Sequence, residues 1–154
     1  MYRVKESQLK LIEIISVEHS VKTKHVPEDN KVDLRNSIIH LDFSKETKVE
    51  NPDYFRICLS IVISPSRNKS GYLIKLETQG YFFIKDIEEC DIAVGLSKSA
   101  LAMVISYVRA YIKTLTYNCR WGKYVLPAID LPDVVERKME FLSDGNETAK
   151  IEEK

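Results

Sequence analysis

The chain has 154 residues, 44% of them apolar and 30% charged, and its 23 basic and 23 acidic residues give a formal net charge of zero. That length fits one domain, and the composition excludes collagen-like, mucin-like and fully disordered classes. The neutral balance argues against a dedicated nucleic-acid binder, which usually carries a basic excess. No apolar run reaches membrane-spanning length, and Lys10 and Glu13 interrupt the N-terminal apolar stretch that a secretory signal would need. The expectation is a cytoplasmic protein without membrane insertion. Its three cysteines, Cys58, Cys90 and Cys119, form no Cys-x-x-Cys pair and are expected as buried, reduced thiols.

The pattern changes once, near residue 86, from strand-like to helix-like. A first strand is predicted over Leu9 to Val21, where Leu11, Ile15 and Val17 interleave with Glu13 and His19. The turn-rich stretch His25 to Asn36 is long enough for a crossover. A second strand over Ile38 to Thr47 alternates Ile39, Leu41 and Phe43 with His40, Asp42 and Ser44. After the turn signal Asn51-Pro52-Asp53, a third strand, Tyr54 to Ser64, puts Phe55, Ile57, Leu59, Ile61 and Ile63 on one face. A hairpin loop, Pro65 to Gly71, leads to a fourth strand over Tyr72 to Ile84, with a bulge or bend expected at Gly80. Short connections between long strands imply an antiparallel sheet.

Acidic residues (Asp86, Glu88, Glu89, Asp91) then lead into a helix predicted over Ser97 to Asn118, roughly 30 Å long. Arg109, Lys113, Arg120 and Lys123 toward its end suit the helix dipole, and Trp121-Gly122 and Pro127 are expected to stop it. A short second helix over Pro132 to Leu142 has Val135, Met139 and Leu142 on one face, and a polar tail, Ser143 to Lys154, follows. The fold class is therefore α+β, with two helices on a four-stranded antiparallel sheet. Residues 1–142 form one domain and 143–154 a tail expected to be disordered.

On the long helix, Leu101, Val104, Ile105, Val108, Tyr111, Ile112 and Leu115 form the stripe expected to pack on the sheet. Met103, Tyr107, Ala110 and Thr114 also recur at helical spacing and carry no charge, so a second cover, a neighbouring subunit, is expected over them. Two helices cannot cover both faces of such a sheet, so some apolar area is left for another chain or a ligand.

The residues offer little chemistry. His19, His25 and His40 have no cysteine or carboxylate at metal-ligand spacing, and His19 and His40 are expected on the solvent side of their strands. The glycines are scattered, with no phosphate-binding loop and no Gly-x-Ser-x-Gly elbow. Bases and aromatics interleave from Tyr111 to Tyr124 in a way a nucleic-acid stacking surface could use, but helix packing accounts for them more simply. The expectation is a non-enzymatic binding protein without metal or cofactor and without a nucleic-acid partner.

The stretch Tyr107-Val108-Arg109, Ile112 and Leu115, continuing to Leu126-Pro127-Ala128-Ile129-Asp130, resembles the SecB-like protein-export chaperones. Their first helix carries a Pro-Tyr-x-Arg-x-x-Ile pattern, followed by a Pro-Pro-Ile-Asn-like linker. The strand pair Tyr54 to Ser64 and Tyr72 to Ile84, and Ile39-His40-Leu41-Asp42-Phe43, match the family in order. The resemblance covers residues 9 to 142. Ser106, Ala128 and Asp130 depart from the family pattern.

The resemblance implies a homotetramer, a dimer of dimers with the long helices sandwiched between sheets, and binding of unfolded polypeptides without ATP, in export or general proteostasis. It implies a client groove of Ile39, Leu41 and Phe43 facing Val134, Val135, Met139 and Leu142, and an oligomer interface at Met103, Tyr107, Ala110 and Thr114. Docking of the SecA motor would fall near Leu73 and Lys75, where Lys75 reverses the acidic charge of family members and weakens the association. A dedicated chaperone of a toxin–antitoxin module, with the antitoxin as partner, and a non-enzymatic adaptor oligomer on the same fold are the alternatives.

Overall fold

The computed structural model describes residues 6–29, 31–84 and 90–140, with the first five residues of the helix that opens at 90 described as backbone only. Strands β1 (Leu9–Lys24), β2 (Ile38–Thr47), β3 (Tyr54–Ser64) and β4 (Gly71–Ile84) precede helix α1 (Cys90–Thr116), and a second helix, α2, is described over residues 131–140. The strands form one antiparallel sheet in the order β1-β4-β3-β2. β2, β3 and β4 follow one another through short loops. The crossover from β1 carries the chain past β4 and β3 to the far edge, as the length of the 25–37 linker suggested.

Alternation decides which face α1 covers. In β3, Phe55, Ile57, Leu59, Ile61 and Ile63 are buried, while Arg56, Cys58, Ser60, Val62 and Ser64 are half-buried on the opposite face. The register places Tyr72, Ile74, Leu76 and Phe82 of β4 on the same inner face. Ala100, Leu101, Val104, Ile105, Val108 and Ile112 of α1 close this core, with Tyr111 and Leu115 at its margin. The helix packs across β1, β4 and β3. It is anchored near one end by Lys45 Nζ donating to Ser97 Oγ at 2.9 Å, and near the other by Tyr111 set edge-on against His19.

Gly80 pairs in unbroken register with Ile57, so the expected bulge is not there. The two irregularities lie in β1, between Leu11 and Glu13 and between Ser16 and Glu18. Gly80 instead marks a close approach. A Cβ built on it would stand 2.6 Å from Val104 Cγ2 and 2.8 Å from the Phe82 ring, so α1 rests on bare backbone at this point.

The bulges also overturn the simple alternation expected for β1. Each extra residue flips the faces, so Leu9, Ile14, Ser16, His19 and Val21 follow the inner-face partners Ile84, Gly80, Thr78, Leu76 and Ile74. Leu11, Ile12 and Val17 are left about half exposed along this edge strand. His19 therefore lies on the helix side, where its Nδ1 is 3.2 Å from Tyr111 Oη, and not on the outer face.

Other expectations shift less. β1 runs three residues past Val21 and β4 starts at Gly71. α1 opens at Cys90, seven residues before Ser97, so the helix begins one residue ahead of Asp91. Asp86, Glu88, Glu89 and the tail 143–154 lie outside the described residues. The helix ends at Thr116, ahead of Trp121-Gly122, because a series of tight turns takes over: Cys119 N–H donates to Thr116 O and Gly122 N–H to Cys119 O. Cys58 and Cys119 are half-buried free thiols rather than fully buried ones.

Replacing Gly80 with alanine is expected to destabilise the chain by about 1–3 kcal/mol, since a stiff Val104 in a helix has no slack rotamer to offer. Urea unfolding followed by circular dichroism measures it.

Candidate functional site

α1 covers three strands, and the inner face of β2 is left to the segment after it. That segment is held by three polar anchors. Thr116 Oγ1 donates to Ile112 O at 2.8 Å and accepts the Tyr124 N–H at 2.7 Å. Tyr72 Oη donates to Gly122 O at 2.7 Å and accepts the Trp121 N–H at 2.9 Å. Arg109 Nη2 donates to Pro127 O at 3.2 Å. Tyr124 and Leu126 are buried, so the linker forms part of the core. Burial raises the phenol pKa of both Tyr72 and Tyr124 above the ordinary 10.0; the Trp121 N–H opposes this at Tyr72, and the Ser37 hydroxyl opposes it at Tyr124.

The linker delivers the chain to α2. Asp130 caps it, its Oδ1 accepting the Asp133 N–H at 3.3 Å while its carbonyl accepts the Val134 N–H at 3.1 Å. Aspartate is among the favoured N-cap residues. Pro132 follows within the first turn, where a missing N–H costs nothing.

α2 and β2 enclose an open groove of about 510 Å³. Ile39, Leu41 and Phe43 form one wall and Val134, Arg137 and Lys138 the other. The three β2 side chains are half-buried against the core, so each keeps apolar surface in the groove. The groove's cations are neutralised within the chain: Lys138 Nζ lies 2.6 Å from Asp42 Oδ1, and Arg137 Nε lies 3.0 Å from Asp133 Oδ2.

The structure thus brings together four of the predicted groove residues, Ile39, Leu41, Phe43 and Val134. Val135 packs against the core, and Met139, one turn farther on along the same helix face, is 62% exposed. Leu142 lies outside the described residues. On α1, Met103, Ala110 and Thr114 are exposed and Tyr107 is half-buried, its ring stacked on Tyr111 at 5.7 Å. Leu73 and Lys75 lie on the outer face of the sheet, beside Glu77, which stands directly opposite Glu18 in the ladder.

Two features escaped the sequence. One is a hollow of about 520 Å³ where Ile12, Tyr54 and Phe82 meet the Arg56–Glu46 ion pair. The other is a hollow of about 730 Å³ between the crossover and the β3–β4 hairpin, lined by Lys31, Arg35 and Lys69. Their residues are distant in sequence and carry no local pattern.

A four-stranded antiparallel sheet in this order, crossed by a long helix and followed by a short one over the edge strand, is the SecB-like fold. Among solved structures, the chain is similar to a SecB-like chaperone of Mycobacterium tuberculosis in complex with a peptide from the HigA1 antitoxin, with 10% identity and a TM-score of 0.58 over 79% of this chain and 88% of that one. A Streptococcus agalactiae protein of unknown function matches at 10% identity and a TM-score of 0.48, over 78% of this chain and 97% of its own. No family model matches the sequence.

The linker anchors are expected to show in alkaline unfolding. Both folded phenols ionise later than unfolded ones, so their contribution is complete below the ordinary pKa of 10.0 and is lost as pH rises past it. The slope of stability against pH in that range should flatten in the Tyr72→Phe/Tyr124→Phe double variant, as measured by urea midpoints across the range.

Proposed function

We propose that the chain is an ATP-independent holdase that binds non-native polypeptide segments in the groove between β2 and α2. The observation that carries this reading is the row Ile39, Leu41 and Phe43, half-buried at the margin of the core and facing Val134 across an open groove. An unfolded segment placed there removes apolar area from water, worth roughly 25 cal/mol per Å² before ordering costs. Folded proteins keep such segments inside and are ignored. The mechanism needs no catalytic group, and the reading is a binding protein rather than an enzyme, acting in the cytoplasm in export or general proteostasis. Its working unit is one domain spanning residues 1–142.

The similarity to a chaperone bound to an antitoxin peptide favours a second reading, in which one antitoxin is the dedicated client of the same groove. On the outer face, Lys75 beside Glu18 and Glu77 breaks up any uniform acidic surface for the SecA motor, so general client binding is proposed ahead of motor docking.

The uncharged side of α1 belongs to the same proposal. Met103, Tyr107, Ala110 and Thr114 form the contact between copies, building a dimer of dimers that presents several grooves to one client and gains avidity.

Leu41→Asp and Phe43→Asp are each expected to abolish binding of a reduced, permanently unfolded model chain and to leave the assembly intact. Isothermal titration and sedimentation velocity measure the two properties, and collapse of the fold in both variants would make these residues core only. If wild type ignores the model chain and binds one antitoxin tightly, the second reading holds. Ala110→Arg is expected to lower the assembly mass while preserving the circular dichroism spectrum.

A further inference from the structure

The hollow between the crossover and the β3–β4 hairpin lies in line with the groove. Ser37 borders it and Ile39 borders the groove, two residues farther along the chain and about 7 Å away. The two spaces differ in charge. The groove's cations are paired, whereas Lys31 and Arg35 of the hollow form no ion pair among the described residues.

Of the three acids at this end, Glu28 is exposed on the crossover, while Asp33, which lines the hollow, and Asp29 are held by hydrogen bonds. The Asp33 carboxylate accepts the Arg35 N–H at 3.0 Å and Asn36 Nδ2 at 2.9 Å, capping the short turn Leu34–Asn36. The Asp29 carboxylate, 5% exposed, accepts the Ser70 N–H at 2.7 Å and lies 3.7 Å from Lys69 Nζ, tying the crossover to the hairpin.

The surroundings reinforce the sign. The segments that meet at this end, 22–37, 65–71 and 117–124, hold eight basic residues and three acidic ones in a chain whose net charge is zero. They are brought together by the Lys24–Gly71 strand pair and the Tyr72–Gly122 hydrogen bond. A concave site rimmed by Lys31 and Arg35, which form no ion pair among the described residues, focuses the field on whatever lies at the end of the groove.

We infer that the hollow is a carboxylate subsite of the groove, and that the preferred client segment is an apolar stretch flanked on one side by Asp or Glu. The inference rests on the groove reading and adds a charge rule to it. Arg35 offers a forked donor to a carboxylate, and Lys31 and Lys69 offer point charges on flexible stems.

The test uses synthetic peptides that share one apolar core and carry a short flank of Glu, Gln or Lys at either end, titrated by fluorescence anisotropy into the full chain and into Lys31→Glu/Arg35→Glu. Both replaced side chains are exposed, so the fold should persist. In wild type the Glu-flanked peptide is expected to bind roughly tenfold more tightly than the Lys-flanked one, with a gap that narrows as salt is added. In the double variant the order should invert, with the Gln-flanked peptide unchanged. Equal affinity for all three flanks in wild type, or a Glu preference that survives the charge reversal, overturns the subsite and leaves the groove standing. Failure of wild type to bind any of the three, the neutral peptide included, overturns the groove reading and the subsite with it.

Discussion

A helix about 10 Å across cannot cover a four-stranded sheet roughly 15–20 Å wide. That mismatch organises this molecule. α1 takes β1, β4 and β3, of which β4 and β3 have the most deeply buried inner faces, and it sits close because Gly80 offers no side chain beneath Val104. β2 is left at the margin, its apolar row half-buried. The linker, fastened by Tyr72, Thr116 and Arg109, brings α2 over that row without sealing it. The groove is therefore the remainder of the core, an extension of the same surface that holds the fold together.

This continuity explains why the groove residues cannot be told from core residues by pattern. Ile39, Leu41 and Phe43 alternate just as Ile57, Leu59 and Ile61 do, and differ only in what lies above them. Where burial on one face was regular, the sequence was legible: β2 and β3 have the bounds their alternation predicts. Where an element's position depends on another part of the chain, it was not. Neither bulge in β1 is marked by a glycine or proline, and Gly80, which looks like a bulge, answers to Val104 across the core. Helical phase alone could not tell that Val134 would face the groove and Val135 the core, because the choice is set by the angle at which the linker delivers α2. The start of α1 was obscured by Gly95, a residue that costs about 1 kcal/mol in a helix and yet lies inside this one.

Charge is distributed with a similar division of labour. Along α2 and β2, ion pairs cancel within the chain and leave the groove neutral. At the crossover end two of the three carboxylates, Asp29 and Asp33, hold backbone donors in place, and the basic residues outnumber the acidic ones. The fold uses its acids to shape loops, and the excess of base at that end is what remains.

The paired bulges of β1 carry a consequence for how the chain can change in length. Each one reverses the parity of the strand, so together they restore it, and Leu9 and Val21 both point inward although two extra residues stand between them. Deleting Ile12 or Val17 alone would remove one bulge and leave every other residue opposite its present partner, because Leu11 and Glu13 already face the consecutive Phe82 and Tyr81, and Ser16 and Glu18 the consecutive Thr78 and Glu77. Deleting a paired residue such as Ile14 would instead throw the strand out of phase on one side of the cut. The edge strand can shorten by one residue at either bulge, and elsewhere along it a single-codon loss is read by the fold as a frameshift.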